Sequence, residues 1–266
     1  MSIIKSVALG IPVLYLVAGV IIYFFQEKFI FLPTPLEEGF EYSFSTPFQE
    51  KFYKMKDGTR INALYFQAEN PRGVIFYHHG NAENLERWGG VAEFYVEAGY
   101  DVLIYDYRGY GKSDGKRSEE QLFADAGHMY WELRKTWKPE QITFYGRSLG
   151  SGVACYLAAN HEHKQIILET PFINLNDMAN RYFPIMPTKY LMKYKFANNE
   201  HLQQVHTPIH IFHGTEDKIV PFESGKSLFE SLNGRAYFYK IEGGRHNNLI
   251  EFPEFRDQLL KVLGKS

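Results

Sequence analysis

The sequence predicts an α/β fold with a mostly parallel central sheet and helices on both faces. Three observations carry this. From residue 51 onward, short apolar runs alternate in order with longer segments of helical period, the rhythm of a sheet wound by crossover helices. The runs GVIFYHHG, DVLIYDYRG, QITFYG, QIILET and PIHIFHG are apolar without alternation, as strands covered on both faces are. The length, 266 residues with 45% hydrophobic, suits one α/β domain built on a large sheet.

The elements follow in chain order. Ser6 to Phe25 reads SVALGIPVLYLVAGVIIYFF, a run of 20 residues without a charge. As a helix it spans roughly 30 Å, the thickness of a bilayer's hydrocarbon core. A cleaved signal peptide would have a shorter apolar region and a small-residue cleavage site. QEKFIFLP follows instead, so residues 1–25 are expected to form an uncleaved single-pass anchor kinked near Pro12, with Tyr23, Phe24 and Phe25 at one interface. Lys5 and Lys28 flank the segment almost evenly, and the folded domain is expected on the non-cytoplasmic side. Residues 26–50, with Pro33, Pro35 and Pro47, form a juxtamembrane segment.

Residues 51–266 hold the folded domain. KFYKMKDGTRINALYFQAE predicts a hairpin turning at Asp57-Gly58. Helices are expected over Glu83 to Gly99, Ser118 to Trp137 with Ser118 as N-cap, Ser148 to Asn160, Phe222 to Leu232 and Leu249 to Leu263. RAYFYKIEG predicts a last strand. Residues 171–207 break the rhythm with Pro171, Pro184 and Pro187, and predict a small cap insert over the carboxyl edge of the sheet, where such folds bind ligands.

Composition narrows the function. The net charge is -2 with Lys and Arg scattered, so no basic patch points to nucleic acid. The lone Cys155 excludes an intramolecular disulfide and reads as a small core residue. His161, Glu162 and His163 lie at a helix end without a third ligand, and no phosphate-binding or dinucleotide fingerprint occurs, so no metal and no cofactor is expected.

Gly146-Arg147-Ser148-Leu149-Gly150 has the pattern G-x-S-x-G between a strand and a helix. That context holds a nucleophilic serine on a strained turn, with glycines where side chains would collide. A serine hydroxyl needs a base, and the base needs an orienting carboxylate. Asp217 follows the strand PIHIFHG, with Glu216 as the rival acid, and His246 lies in a Gly-rich loop after the last strand. The candidate oxyanion donors are the backbone N–H groups of Leu149 and, in the loop HHGNAEN, of Asn81. His78, His79, His210, His213, Asp106 and Arg108 read as structural, and Asn81 or Asn84 as a helix cap or a substrate contact.

HHGNAEN, DYRGYGKSDG, GRSLGSG, HGTEDKIVP and GGRHNNL, in that order, resemble an α/β hydrolase. They are most similar to the small, N-terminally anchored serine hydrolases, a group labelled serine-aminopeptidase-like that includes esterases and acyl-thioesterases. The resemblance covers about residues 50–265 plus the anchor, and implies an α/β-hydrolase fold with a Ser148–His246–Asp217 triad. Glu83 departs from it, standing where a glycine is common; its carboxylate either repels anionic substrates or starts a helix.

The expected function is a membrane-anchored serine hydrolase acting on a small-molecule acyl ester or thioester. Phe172, Tyr182, Phe183, Tyr190, Tyr194 and Phe196 either contact a lipophilic acyl chain or pack on the sheet. A serine peptidase and a non-catalytic interaction protein on the same fold stay open as alternatives.

Overall fold

The apolar runs become the middle of one eight-stranded sheet in the computed structural model, which describes residues 2–264. Strands β2 (Phe48–Lys54), β3 (Arg60–Phe66), β4 (Val74–His78), β6 (Asp101–Tyr105), β7 (Ile142–Arg147), β8 (Gln165–Glu169), β9 (Ile209–Gly214) and β10 (Ala236–Ile241) lie in the order β10-β9-β8-β7-β4-β6-β3-β2. The pairs from β10 to β6 are parallel, and the β3 pairs with β6 and β2 are antiparallel. Every residue of β4, β6, β7, β8 and β9 is buried, whereas the edge strands β2 and β10 alternate with solvent. This is the doubly covered sheet that unbroken apolar runs require. Two short strands, β1 (Leu32–Pro33) and β5 (Ala82–Glu83), pair separately and tie the segment after the N-terminal helix to the loop after β4.

Successive side chains of a strand feed two cores. Phe144 packs with Ala126, Met129 and Tyr130 of α4 (Glu119–Leu133) and Ala154 and Cys155 of α5 (Gly150–Asn160). Tyr145 packs on the other face with Leu85 and Trp88 of α2 (Leu85–Trp88), Tyr95 of α3 (Ala92–Glu97) and Phe255 of α10 (Pro253–Val262). Cys155 is fully buried. Helix α9 (Phe222–Ser231) follows β9 and packs through Leu228 on the first face.

Several helices are shorter than the periodicity predicts. The segment Glu83 to Gly99 splits at Gly89-Gly90 into α2, a 3-10 turn and α3, and ends at Gly99 with φ +84°. Glu83 does not start it: Asn84 is the N-cap, accepting the Glu86 N–H at 2.8 Å. Ser118 caps α4 as expected, by accepting the Gln121 N–H. The last helix is interrupted at Phe252, where Pro253 supplies no amide, so α10 follows a separate 3-10 turn.

Helix α1 (Ser2–Ile30) runs five residues past Phe25, into the predicted juxtamembrane segment, with Pro12 inside it. Its stretch Pro12–Ile30 is long and apolar enough to cross a membrane. The insert after β8 holds α6 (Leu175–Tyr182), α7 (Thr188–Leu191) and α8 (Asn198–His201). Asn174 caps α6 by accepting the Asp177 N–H at 2.7 Å. Residues of α6 and of α1 line a cavity together with Ser148, at the carboxyl end of β7.

Candidate active site

β7 ends at Arg147 and α5 begins at Gly150, so Ser148 and Leu149 make the whole connection. Ser148 has φ +51°, in the left-handed region that L side chains avoid. Packing imposes this. A Cβ on Gly146 would stand 2.7 Å from Ala154 Cβ and Ser151 Cα, and one on Gly150 would run into the carbonyl of His78. The elbow is held by two bonds: Ser148 N–H donates to the Glu169 carbonyl at 2.9 Å, and Ser151 Oγ donates to the Ser148 carbonyl at 2.6 Å.

His246 comes in from the loop after β10. Its Nε2 lies 3.0 Å from Ser148 Oγ and its Nδ1 2.7 Å from Asp217 Oδ2. Asp217 Oδ1 accepts the amides of Ile219 and Val220, each at 2.9 Å, which leaves Oδ2 for the imidazole. Burial opposes the charge on Asp217, but hydrogen bonds from His213 and His246 and from the loop amides outweigh it and hold the carboxyl well below the usual carboxylate range. Glu216 points the other way: it is solvent-exposed and lies 3.7 Å from Arg245. A neutral imidazole so placed can take a proton at Nε2 while its Nδ1–H is held by the carboxylate.

Asn81 and Leu149 line the same cavity as Ser148. The Asn81 carbonyl accepts from Leu32 N–H at 2.8 Å and from Tyr110 Oη at 2.7 Å, which fixes the loop. Among the described residues, no loop or turn hydrogen bond uses the amide N–H of Asn81 or of Leu149. His79 stays behind the loop, with Nδ1 2.7 Å from the Gly80 carbonyl. Asn84 is the α2 cap. Arg108 is locked between Asp125 at 2.6 Å and Asp57 at 2.5 Å. His163 bridges the His161 carbonyl and Thr207 Oγ1.

The cavity above Ser148 has a volume of about 340 Å³, within the size range of small-molecule sites, roughly 300–1,000 Å³. Its polar lining is Ser148, Asn81, Gln26 and the hydroxyl of Tyr182; the rest is apolar, and among the described residues no lining side chain carries a charge. The cap aromatics divide. Phe172, Tyr182 and Phe183 line the cavity, Tyr190 is exposed, and Tyr194 and Phe196 are buried in the core, with Tyr194 edge-on to Phe31 at 4.9 Å.

Three features escape the motif reading. Arg147, the variable residue of G-x-S-x-G, is buried; its Nη2 donates to the His246 carbonyl and to Asn247 Oδ1, each at 3.1 Å, and its Nε lies 3.3 Å from Glu169. His213 Nε2 donates to the Val220 carbonyl at 2.9 Å and sits 3.5 Å from Asp217, a position the spacing His213 to Asp217 contains but does not disclose. Residues of α1 line the cavity, a contact between segments over a hundred residues apart.

Fold and site together define an α/β hydrolase, and the chain belongs to that family. Residues 69–198 match the family model described as serine aminopeptidase, S33. The chain is 31% identical to alpha/beta hydrolase domain-containing protein 17B of Homo sapiens over 78% of its length and 72% of that protein. The Xenopus tropicalis protein of the same name is also 31% identical, over 76% of this chain and 70% of that one. Among solved structures, the Pyrococcus furiosus esterase Pf2001 superposes with a TM-score of 0.69 at 18% identity, covering 88% of this chain and 97% of that chain. The alpha/beta hydrolase GrgF from Penicillium sp. sh18 gives 0.68 at 16% identity, over 82% and 98%. These structures share the fold.

Proposed function

We propose that the chain is a membrane-anchored serine hydrolase that cleaves carboxylic ester or thioester bonds of lipophilic acyl substrates. The observation that carries this reading is Ser148 Oγ at the floor of an uncharged cavity, 3.0 Å from His246 Nε2. Ser148 Oγ attacks the acyl carbonyl carbon while His246 Nε2 takes the hydroxyl proton, and Asp217 stabilises the imidazolium. The amides of Leu149 and Asn81 receive the oxyanion. The tetrahedral intermediate collapses, His246 returns the proton to the departing alcohol or thiol, and an acyl-enzyme remains. Water, deprotonated by His246, then releases the acid.

The family description raises a second reading, an aminopeptidase. Such an enzyme has to hold a free ammonium group, and among the described residues no carboxylate lines the cavity. An acyl chain fits that lining better. The test is labelling of the full-length protein with a fluorophosphonate, alongside a panel of acyl esters, acyl thioesters and aminoacyl anilides. Labelling of the wild type, its loss in Ser148→Ala, and a fall in ester turnover of roughly 10⁴-fold or more are expected. An unlabelled wild type overturns the enzyme reading; turnover confined to the anilides selects the peptidase.

A further inference from the structure

Helix α1 presents two kinds of surface. Leu14, Leu16, Val20 and Phe24 are exposed and apolar, as an anchor requires. Ile22, Gln26, Phe29 and Ile30 are spaced four, three and one residues apart, which places them on one helical face, and all four line the cavity above Ser148. The helix therefore supplies a wall of the site as well as an attachment.

Gln26 stands out in that stripe. It is 2% exposed and its amide is fully engaged. Nε2 donates to the Leu191 carbonyl at 3.0 Å and to the Tyr23 carbonyl at 2.9 Å, and Oε1 accepts the Lys193 N–H at 2.7 Å. Leu191 and Lys193 flank Met192, which is itself part of the cavity wall. Further contacts run beside the clamp: Tyr194 Oη lies 3.1 Å from Glu27 Oε1, the Lys193 ammonium sits 4.6 Å over the Tyr23 ring, and Phe29 meets Phe183 edge-on at 6.4 Å. A buried amide is costly unless its hydrogen bonds are met, and here the cap backbone meets two of the three and the Tyr23 carbonyl of α1 the other. A plain lipid-facing anchor has no use for such a residue. The clamp fixes the helix in register with the cap.

We propose that the Ile22–Ile30 face of α1, clamped to Leu191–Lys193 by Gln26, is the wall that selects the acyl chain bound above Ser148. This rests on the reading of Ser148 as an acyl-transfer nucleophile. Ile22, Phe29 and Ile30 line this uncharged space together with Leu175 and Met178 of α6, so the ligand is a neutral hydrocarbon chain and its length is read by the helix. Ile22 is 6% exposed, so bulk added there enters the cavity rather than solvent.

The test uses the full-length protein in detergent, with fluorophosphonate titration to count active sites. The probes are p-nitrophenyl acetate, decanoate and tetradecanoate, and the readout is the ratio of kcat/KM values within each variant. Ile22→Trp is expected to lower the decanoate-to-acetate ratio by about tenfold or more, the discrimination that a hydrophobic pocket attains for one or two methylenes. Ile22→Ala is expected to raise the tetradecanoate-to-decanoate ratio by about threefold or more. Opposite shifts from the two variants are not what misfolding produces. Gln26→Leu, which releases the cap, is expected to raise KM for decanoate more than for acetate. If wild type and variants titrate normally and every ratio stays within about twofold, the helix is not the selecting wall. If the wild type itself takes no fluorophosphonate, the nucleophile assignment fails, and this proposal with it.

Discussion

At φ +51°, Ser148 is one of the few non-glycine residues in the left-handed region, and the strain is separable from the chemistry. Ser148→Ala and Ser148→Gly both lose the contact between Oγ and His246 Nε2. Only the glycine variant also relieves the backbone, which costs an L residue roughly 1–2 kcal/mol. The looser unfolded chain of the glycine variant takes back about 0.5–1 kcal/mol. The expected outcome is a glycine variant more stable than the alanine variant by about 0.5–1 kcal/mol in urea unfolding. Equal stabilities would mean that the elbow stores no strain. The same reasoning applies to Glu83, whose φ of +66° lies in the region that favours glycine. Its carboxylate forms an exposed ion pair with Arg87 rather than starting a helix. The left-handed backbone of Glu83 and its pairing with Pro33 are not legible in the sequence, because strands of two residues leave no pattern.

Between elements, the joint that matters most is where β7, β8 and the His246 loop meet. Arg147 and Glu169 form a buried pair, with Tyr145 Oη donating to Glu169 Oε2 at 2.6 Å and the Arg147 guanidinium holding the His246 carbonyl. Removing one member strands the other's charge, at a cost of about 3–5 kcal/mol. Arg147→Met is therefore expected to destabilise the protein by that order. Adding Glu169→Gln, which keeps an acceptor for Tyr145, should restore at least about 1 kcal/mol. Urea melts of the two single variants and the double variant measure this coupling, and strictly additive effects would refute it. The strands that frame this joint are legible in the sequence because burial on both faces leaves continuous apolar runs. The nucleophile motif is legible because it is local. Arg147 is not, since its partners lie on β8, on α2 and in a loop a hundred residues away, and a charged residue in a G-x-S-x-G motif carries no signal of its own. Helix ends are not legible where Gly89-Gly90 and Pro253 interrupt an otherwise continuous apolar period.

For the molecule as a whole, the length of α1 constrains how it meets a bilayer. From Tyr15 onward the helix touches the cap: Tyr15 Oη donates to the Ile185 carbonyl at 3.0 Å, and Gly19 faces Leu191. The stretch of α1 long and apolar enough to cross a membrane, Pro12–Ile30, contains these contacts. Its 19 residues make about 28 Å of helix, close to the ~30 Å hydrocarbon core. In the proposed anchored state, the spanning stretch therefore has to include turns already covered by the cap, which carries the cap tip, from the α6–α7 turn through α7, into the bilayer. The tip is built for this: Ile185 is 76% and Tyr190 81% exposed, and Lys189 is a long side chain able to reach the headgroups. The apolar helix is readable as an uncharged run, but its packing against the cap is not, because the contacts join segments some 170 residues apart. Full-length protein in liposomes, with Ile185→Cys or Tyr190→Cys carrying a fluorophore, is expected to be quenched by spin-labelled lipid. Cys155 is fully buried and leaves these as the reactive thiols. Trp131→Cys, on the exposed C-terminal part of α4 against His161 and away from the cap, is the reference expected to stay unquenched. A probe at Tyr190 as free of quenching as the one at Trp131 would show the cap tip standing in water, and Pro12–Ile30 could then not both span the bilayer and keep its place against the cap.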